Sequence, residues 1–122
     1  MSRTEVRDAL YPKCPIRNVL AHFGNKWALL VLYTLNEQGT SRFKELRRGI
    51  PDISQKMLTA TLKDLEADGL LRRTAYPEIP PRVEYNLTER AMTLMPLLYE
   101  LFNWAVDNLE DIVGSREQYL LK

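Results

Sequence analysis

The chain of 122 residues is 45% apolar and 27% charged, a composition typical of an ordinary soluble globular domain. Its length predicts a single domain over residues 1–122, able to bury a core without help from a disulfide or a metal. The 17 Lys and Arg residues against 16 Asp and Glu give a formal net charge of +1. That balance by itself indicates neither a nucleic-acid binder nor a protein of membrane surfaces.

Several classes of protein are excluded by what the sequence lacks. The longest apolar run, residues 27–35, is interrupted by Thr34 and is far shorter than the roughly 20 residues that cross a bilayer. Residues 1–13 hold no apolar signal segment, so the expected compartment is the cytoplasm. A single cysteine, Cys14, and a single histidine, His22, exclude an intrachain disulfide and a Cys/His zinc site. The scattered glycines form no phosphate-binding loop, and we expect no enzymatic activity, cofactor or metal.

Two helices are predicted in the first third of the chain. Pro15 suits the first position of a helix that Gly24 ends, and apolar residues recur between them at helical spacing. Asn25 can cap a second helix over residues 26–35. Apolar residues surround the axis of this second helix, which predicts that it lies at the centre of the fold.

A short basic helix is predicted after a turn at residues 36–39. Ser41 is expected to cap it, and Pro51 prevents its continuation. Its apolar residues are predicted to point inward and its basic residues outward. The outward basic residues are Arg42, Lys44, Arg47 and Arg48.

A fourth helix is predicted over about residues 55–68, capped by either Asp52 or Ser54 and ended by Gly69. Leucines at spacings of four and three residues predict that one face is buried. The other face carries short or hydrogen-bonding side chains, where a solvated helix more often carries Glu and Lys pairs. Its members are Gln55, Lys56, Thr59, Ala60 and Lys63.

The residue pattern then changes from helical to strand-like. Residues 71–76 and 82–87 predict the two strands of a hairpin, the second with strict alternation of apolar and polar residues. Three prolines within residues 77–81 stiffen the connecting loop and remove backbone donors.

A long helix is predicted to follow the hairpin. Thr88 can cap it, Pro96 is expected to kink it, and its apolar pattern continues to about Leu109. Ser115 can begin a separate short helix at the end of the chain.

This order of elements predicts a mainly α fold with a small β-hairpin, the winged helix-turn-helix. The third and fourth helices would form the helix-turn-helix, with the fourth in the major groove of DNA and the hairpin as a wing beside it. The DNA-binding core is predicted at residues 14–88, with the wing at residues 71–87. Residues 88–122 are predicted to form a dimerisation helix and a C-terminal tail, which act together with the first helix.

The regional distribution of charge agrees with this division. Residues 1–82 carry 14 basic and 9 acidic groups, a net charge of +5. Residues 83–122 carry 3 basic and 7 acidic groups, a net charge of −4. The part predicted to read DNA, residues 1–82, is therefore positive and is called the reading head below. The predicted dimerisation segment is negative and should stay away from phosphates.

A family resemblance is carried by motifs along most of the chain. They are Cys14-Pro15, Gly24-Asn25-Lys26-Trp27, Arg42-Phe43-Lys44-Glu45-Leu46, Ile50-Pro51, Ser54-Gln55-Lys56-Met57-Leu58-Thr59, Asp68-Gly69-Leu70, Pro80-Pro81-Arg82-Val83-Glu84-Tyr85 and Leu87-Thr88-Glu89. In this order, over roughly residues 14–108, they resemble the HxlR-type family of bacterial transcriptional regulators. The resemblance implies a homodimeric winged-helix DNA-binding protein, related to the MarR regulators and without enzymatic activity. Ala91 stands where the family commonly has Gly, a difference that concerns helix packing.

Two sets of residues are predicted to contact DNA. Base edges are usually read by the early, exposed part of the recognition helix, and cations around it bind phosphates. The predicted base-reading residues are Gln55, Lys56, Thr59 and Ala60. The predicted phosphate-binding residues are Arg42, Lys44, Lys63, Arg72, Arg73 and Arg82.

The last helix is predicted to form the dimer interface. Its apolar residues cover more than one face, so part of the set has no obvious partner in a small monomer. The predicted interface residues are Leu98, Leu101, Phe102, Trp104 and Ala105.

Cys14 has two interpretations. The helix dipole and the neighbouring Lys13 and Arg17 favour a reactive thiolate, and several regulators of the resembled family sense oxidants or electrophiles through a cysteine at this place. The alternative is an inert residue packed under a helix end. Since the chain has one cysteine, oxidation would have to end in a disulfide with a small thiol or with Cys14 of a second subunit.

The sequence is thus interpreted as that of a homodimeric repressor or activator. Its predicted partner is double-stranded DNA with a near-palindromic operator, and a small-molecule effector or an oxidant is the candidate signal. The alternative is a winged-helix module that binds proteins and not DNA.

Overall fold

The computed structural model describes residues 25–122. The predicted helix at residues 15–24 lies outside the described residues, as do Cys14 and His22. The elements in chain order are α1 (Lys26–Gln38), α2 (Phe43–Gly49), α3 (Gln55–Ala67), β1 (Leu71–Tyr76), β2 (Arg82–Leu87) and α4 (Glu89–Leu120).

Helix α1 is the centre of the core, as its apolar composition predicted. Val31 and Leu32 are completely buried, and α1 packs against each of the three other helices and against β2. The predicted cap is confirmed, because the Asn25 side chain accepts a hydrogen bond of 2.9 Å from the backbone N–H of Ala28. The buried core of the described residues consists of Ala28, Val31, Leu32, Leu35, Leu46, Ile50, Ile53, Leu58, Leu62, Leu65, Leu70, Leu71, Ala91, Met95 and Leu98.

The predicted role of Ser41 as a helix cap is wrong. Arg42 is the N-cap of α2, and its backbone N–H donates to the Glu45 carboxylate at 2.9 Å. Ser41 is buried and exchanges two backbone hydrogen bonds with Tyr85, of 2.9 and 2.8 Å. This isolated β-bridge connects the hairpin to the start of α2. The Ser41 hydroxyl donates to the carbonyl of Gly39.

Helix α2 lies very close to α1 at Gly49. A Cβ atom at this position would stand 2.7 Å from the buried methyl group of Thr34 on α1, nearer than real Cβ contacts allow. Glycine is therefore the residue that permits the observed packing of the first helix of the helix-turn-helix.

The bounds of α3 follow from local signals at both ends. Of the two predicted caps, Ser54 is the observed one, since its hydroxyl accepts from the backbone N–H of Met57 at 3.0 Å. Beyond the other end, Gly69 adopts a φ of 76°, and the N–H of Leu70 donates to the carbonyl of Leu65. The buried stripe of leucines is confirmed.

The hairpin has the predicted strands, which pair antiparallel from Leu71 opposite Leu87 to Tyr76 opposite Arg82. Thr88 then caps α4 by accepting from the N–H of Ala91. The same hydroxyl donates to the carbonyl of Gly69 at 2.7 Å. The position of the wing is therefore coupled to the end of α3.

Helix α4 is one continuous helix of 32 residues, about 48 Å long. The predicted end at Leu109 and the predicted separate helix at Ser115 are wrong. A single Gly114 inside the helix costs only about 1 kcal/mol relative to Ala, which is too little to end the helix. Its buried residues are Ala91, Met95 and Leu98, so the C-terminal half projects beyond the core. Pro96 lies within the helix, and the kink stays a prediction.

Tyr99 joins α4 to the end of α1. Its hydroxyl donates to the Glu37 carboxylate at 2.6 Å and accepts from the Asn36 amide at 3.1 Å, while its ring contacts Tyr33 and Phe102. The hydrogen bond to Glu37, followed by burial, raises the pKa of Tyr99 above its ordinary value of about 10.

We expect Tyr99→Phe to lower the free energy of unfolding by about 1 kcal/mol at neutral pH, because it removes this charge-assisted hydrogen bond. The pKa is raised in the folded state, so the contribution is complete below about pH 10 and disappears as the pH rises through the raised pKa. Urea unfolding of both proteins across this range measures the difference. Tyr33→Phe is the matched control, since the Tyr33 hydroxyl has no hydrogen bond within residues 25–122. An equal loss in both variants would contradict the assignment.

Candidate nucleic-acid interface

One face of α3 is open to solvent along its first three turns. The predicted base-reading residues are exposed there, and at about 100° per residue they occupy an arc of roughly 140°. The hydroxyl of Thr59 donates to the carbonyl of Gln55 at 2.9 Å, which leaves its methyl group as the outward contact. The amide of Gln55 and the ammonium of Lys56 are free to donate outward. The exposed members of this face are Gln55, Lys56, Thr59, Ala60 and Lys63.

A groove of about 360 Å³ separates this face from the hairpin. Lys63 enters it from α3 and Arg73 from β1, so the groove brings together two predicted phosphate-binding residues that are ten positions apart in the sequence. The carboxylate of Glu66 is a third charged group on its wall. The complete lining is Phe43, Thr59, Leu62, Lys63, Glu66, Arg73 and Tyr85. Two cations against one carboxylate favour an anionic group there.

Five of the predicted phosphate-binding residues are exposed and have no carboxylate partner within the part of the chain that the structure describes. They lie on three different elements. These five are Arg42 at the start of α2, Lys44 on α2, Lys63 on α3, and Arg72 and Arg73 on β1. Their charges are available to a ligand.

Arg82 differs from those five cations. Its guanidinium forms ion pairs with Glu78 at 3.1 Å and with Glu84 at 3.4 Å. It also lies over the ring of Tyr76, 3.9 Å from the ring centroid. The two carboxylates offset the positive field of the guanidinium, and these contacts make Arg82 part of the structure of the wing tip. Phosphate binding by Arg82 stays a prediction.

The predicted interface residues of α4 fall into two groups. Leu98 is 7% exposed and belongs to the core, and Phe102 packs edge-on against Tyr33, so both are already covered within the subunit. Leu101 and Trp104 are 51% and 58% exposed, and Ala105 is exposed beside them. The outward apolar surface continues along the helix with Val106, Leu109, Ile112 and Val113.

Two exposed apolar residues near the candidate interface were not identified from the sequence. Met57 lies at the edge of the open face of α3 and lines a second groove, against Trp27 of α1. Ile79 lies at the tip of the wing and is fully exposed. An apolar residue in a short stretch is usually assigned to a core, and only the arrangement of the neighbouring elements reveals that these two face outward.

Within residues 25–122 no group of three or more His, Cys, Asp or Glu side chains could hold a metal ion. No helix in this part of the chain is long and apolar enough to cross a membrane.

The chain is similar to known regulators over most of its length. The profile of the family described as HxlR-like helix-turn-helix matches residues 22–113. An uncharacterised HTH-type transcriptional regulator of Halalkalibacterium halodurans is 49% identical over 94 residues, which cover 77% of this chain and 83% of the relative.

Three solved structures illustrate the shared fold. The transcriptional regulator ytfH of Salmonella typhimurium superposes with a TM-score of 0.77 at 39% identity, covering 91% of this chain and 98% of that chain. The redox regulator HypR in its reduced form superposes with a TM-score of 0.74 at 40% identity, covering 83% of this chain and 98% of HypR. The MarR family is represented by a structure from Porphyromonas gingivalis with a TM-score of 0.71 at 41% identity, covering 79% of this chain and 93% of that chain.

Proposed function

This chain belongs to the HxlR-like helix-turn-helix family of transcriptional regulators, and we propose that it acts as a homodimer that reads a near-palindromic operator with two copies of α3. The observation that carries the proposal is the open face of α3 beside a groove that holds Lys63 and Arg73. Unpaired cations beside a polar helix face are the electrostatic footprint expected of a surface that binds nucleic acid. The relatives are HTH-type transcriptional regulators, which also favours DNA binding.

In the proposed complex the N-terminal half of α3 lies in the major groove. The Gln55 amide can pair with the N6 and N7 atoms of adenine, and the Lys56 ammonium can donate to guanine. The methyl groups of Thr59 and Ala60 suit contact with a thymine methyl. Phosphates on either side would be held by Arg42, Lys44, Lys63, Arg72 and Arg73, which fix the position of the helix without reading sequence.

In the proposed dimer, Leu101, Trp104 and Ala105 of α4 meet the second subunit. A two-fold axis then relates the two reading heads, so the half-sites lie about one helical turn of DNA apart. The net charge of −4 over residues 83–122 keeps the dimerisation segment away from the phosphates. We propose that the dimer works in the cytoplasm, the compartment expected from the sequence.

We expect Gln55→Ala to weaken binding to a selected duplex by about 1–3 kcal/mol through the loss of one bidentate base contact. Binding to a scrambled duplex should not change, because Gln55 carries no charge to place on phosphate. Fluorescence anisotropy titrations on both duplexes measure the effect. Gln118→Ala, an exposed glutamine at the far end of α4, is the matched control. An equal loss on the two duplexes would remove the base-reading role.

We also propose Cys14 as a redox sensor. The support is the thiolate-favouring sequence around it and the likeness to HypR, which is described as a redox regulator. Cys14 itself lies outside the described residues.

Treatment with diamide is expected to change the affinity of the protein for its selected duplex at least tenfold, because the cysteine of each subunit becomes part of a disulfide. Cys14→Ser should bind the duplex normally and should not respond to diamide. Non-reducing mass spectrometry distinguishes a disulfide between subunits from one with added glutathione. An ordinary alkylation rate, together with affinity that diamide does not alter, would contradict the proposal.

A further inference from the structure

The tip of the wing presents a single fully exposed apolar side chain. Ile79 has a relative exposure of 102% and is flanked by Pro77, Pro80 and Pro81, which restrict the backbone of the loop. The backbone N–H of Glu78 donates to the carbonyl of Tyr76 at 2.8 Å. Ile79 is therefore presented to solvent on a stiff loop.

The wing tip has no unpaired cation. Arg82 is the one basic residue of the loop and its junctions with the strands, and it is held by Glu78, Glu84 and the Tyr76 ring. The ion pair with Glu78 also reduces the repulsion that this carboxylate would feel near phosphates. The wing tip can therefore make an apolar contact with a duplex, but not a contact through an unpaired charge.

The position of the tip follows from the cations at the base of the wing. Arg73 shares the groove with Lys63, and Tyr76 lies three positions further along β1, about 10 Å at roughly 3.3 Å per residue. In the proposed complex, Lys63 and Arg73 hold the sugar-phosphate backbone that borders the major groove. The loop of the wing then extends across this backbone. On the far side of the backbone lies the adjacent minor groove of the DNA.

We propose that Ile79 inserts into the minor groove beside each half-site and makes the protein prefer a deformable base step there. The inference rests on the proposed DNA-binding function and continues the same surface. Isoleucine and proline side chains can wedge between base pairs and partly unstack them. Pyrimidine–purine steps such as TA and CA unstack most easily, so a residue without hydrogen-bonding groups still contributes sequence preference.

The test compares the full chain with Ile79→Ala and Ile79→Leu. Each protein selects duplexes from a random pool, and its affinity for the duplex selected by the wild type is then measured at several salt concentrations. Since Ile79 is fully exposed, all three proteins should fold, which thermal unfolding verifies.

For Ile79→Ala we expect an unchanged half-site, loss of the preference for TA or CA steps beside it, and affinity reduced about tenfold. The salt dependence should stay the same, because no phosphate contact is removed. Ile79→Leu should retain most of the wild-type affinity, since leucine keeps the apolar volume of the side chain.

If Ile79→Ala binds within twofold of the wild type and keeps the preference for TA or CA steps beside the half-site, the inference is overturned. The proposed function would be unaffected by that result. Failure of the wild type to select any duplex would overturn both. In that case the exposed tip would be a contact for another protein.

Discussion

Replacing both Lys63 and Arg73 by alanine is expected to weaken binding about a hundredfold on any duplex, selected or scrambled, at physiological salt. Each residue lies in the groove between α3 and the hairpin without a carboxylate ion pair, and a charge-assisted contact with phosphate contributes about 1.5 kcal/mol, or roughly tenfold. The slope of log affinity against log salt should become less steep by about 2 for each subunit, since about one counterion is released for each phosphate neutralised.

The matched control is the double variant Arg116→Ala with Lys122→Ala, which removes one exposed cation near the end of α4 and one just beyond it. It changes the net charge equally but lies on the segment that should not approach DNA. The control should leave affinity and slope nearly unchanged. Similar losses in the two double variants would show that total charge, rather than the groove, attracts the duplex.

Replacing Leu101 and Trp104 together by alanine is expected to convert the dimer to monomers and to lower operator affinity by about 10² to 10⁴. These residues are more than half exposed in the subunit, and a tryptophan in the middle of an apolar patch is a frequent hot spot of subunit contacts. A monomer has one reading head and therefore lacks the increase in affinity that two linked binding sites provide. Sedimentation velocity measures the first effect and anisotropy titration the second.

Met92→Ala is the matched control for this pair, because Met92 is an equally exposed apolar residue, 51%, on the same helix but outside the predicted interface. It should leave a dimer with normal affinity. A double variant that stays dimeric, or a wild type that sediments as a monomer, would contradict the proposed interface.

The elements that local signals determine could be predicted from the sequence. Asn25, Ser54 and Thr88 cap their helices with hydrogen bonds to N–H groups three residues ahead, an interaction that depends on neighbours in the chain. The strands and their turn follow from alternation and from the prolines between them. The exposed face of α3 was also predictable, because a helix with one leucine stripe must leave the opposite face outside.

Interactions between distant residues could not be predicted. Ser41 is held by Tyr85, 44 positions along the chain, and this pairing overrides its preference for a cap. Leu98 has the same residue type as Leu101, yet only the packing of α4 on α1 decides which of them is buried. Even between near neighbours, the sequence gives the charge of Arg82 but not its ion pairs with Glu78 and Glu84, and phosphate binding by Arg82 stays a prediction.

Helix α4 shows that a weak stop signal does not end a helix. The sequence predicts a helix end near Leu109 and a new helix beginning at Ser115, but the helix continues through Gly114 and Ser115 to Leu120. The unfavourable helix propensity of either residue is smaller than the free energy lost when a break leaves backbone hydrogen bonds unmade. The result is a longer exposed apolar surface than the sequence suggested.

The most direct test of DNA reading by α3 and its surrounding cations is the salt dependence of duplex binding by the full chain. Anisotropy titrations should use a duplex selected from a random pool and a scrambled duplex of equal length, from about 0.05 to 0.2 M salt. With five unpaired cations in each of two subunits, the slope of log affinity against log salt should lie at about −5 to −9. The selected duplex should bind at least about a thousandfold more tightly than the scrambled one. A flat salt dependence, or equal affinity for the two duplexes, would contradict sequence-specific DNA binding by this face.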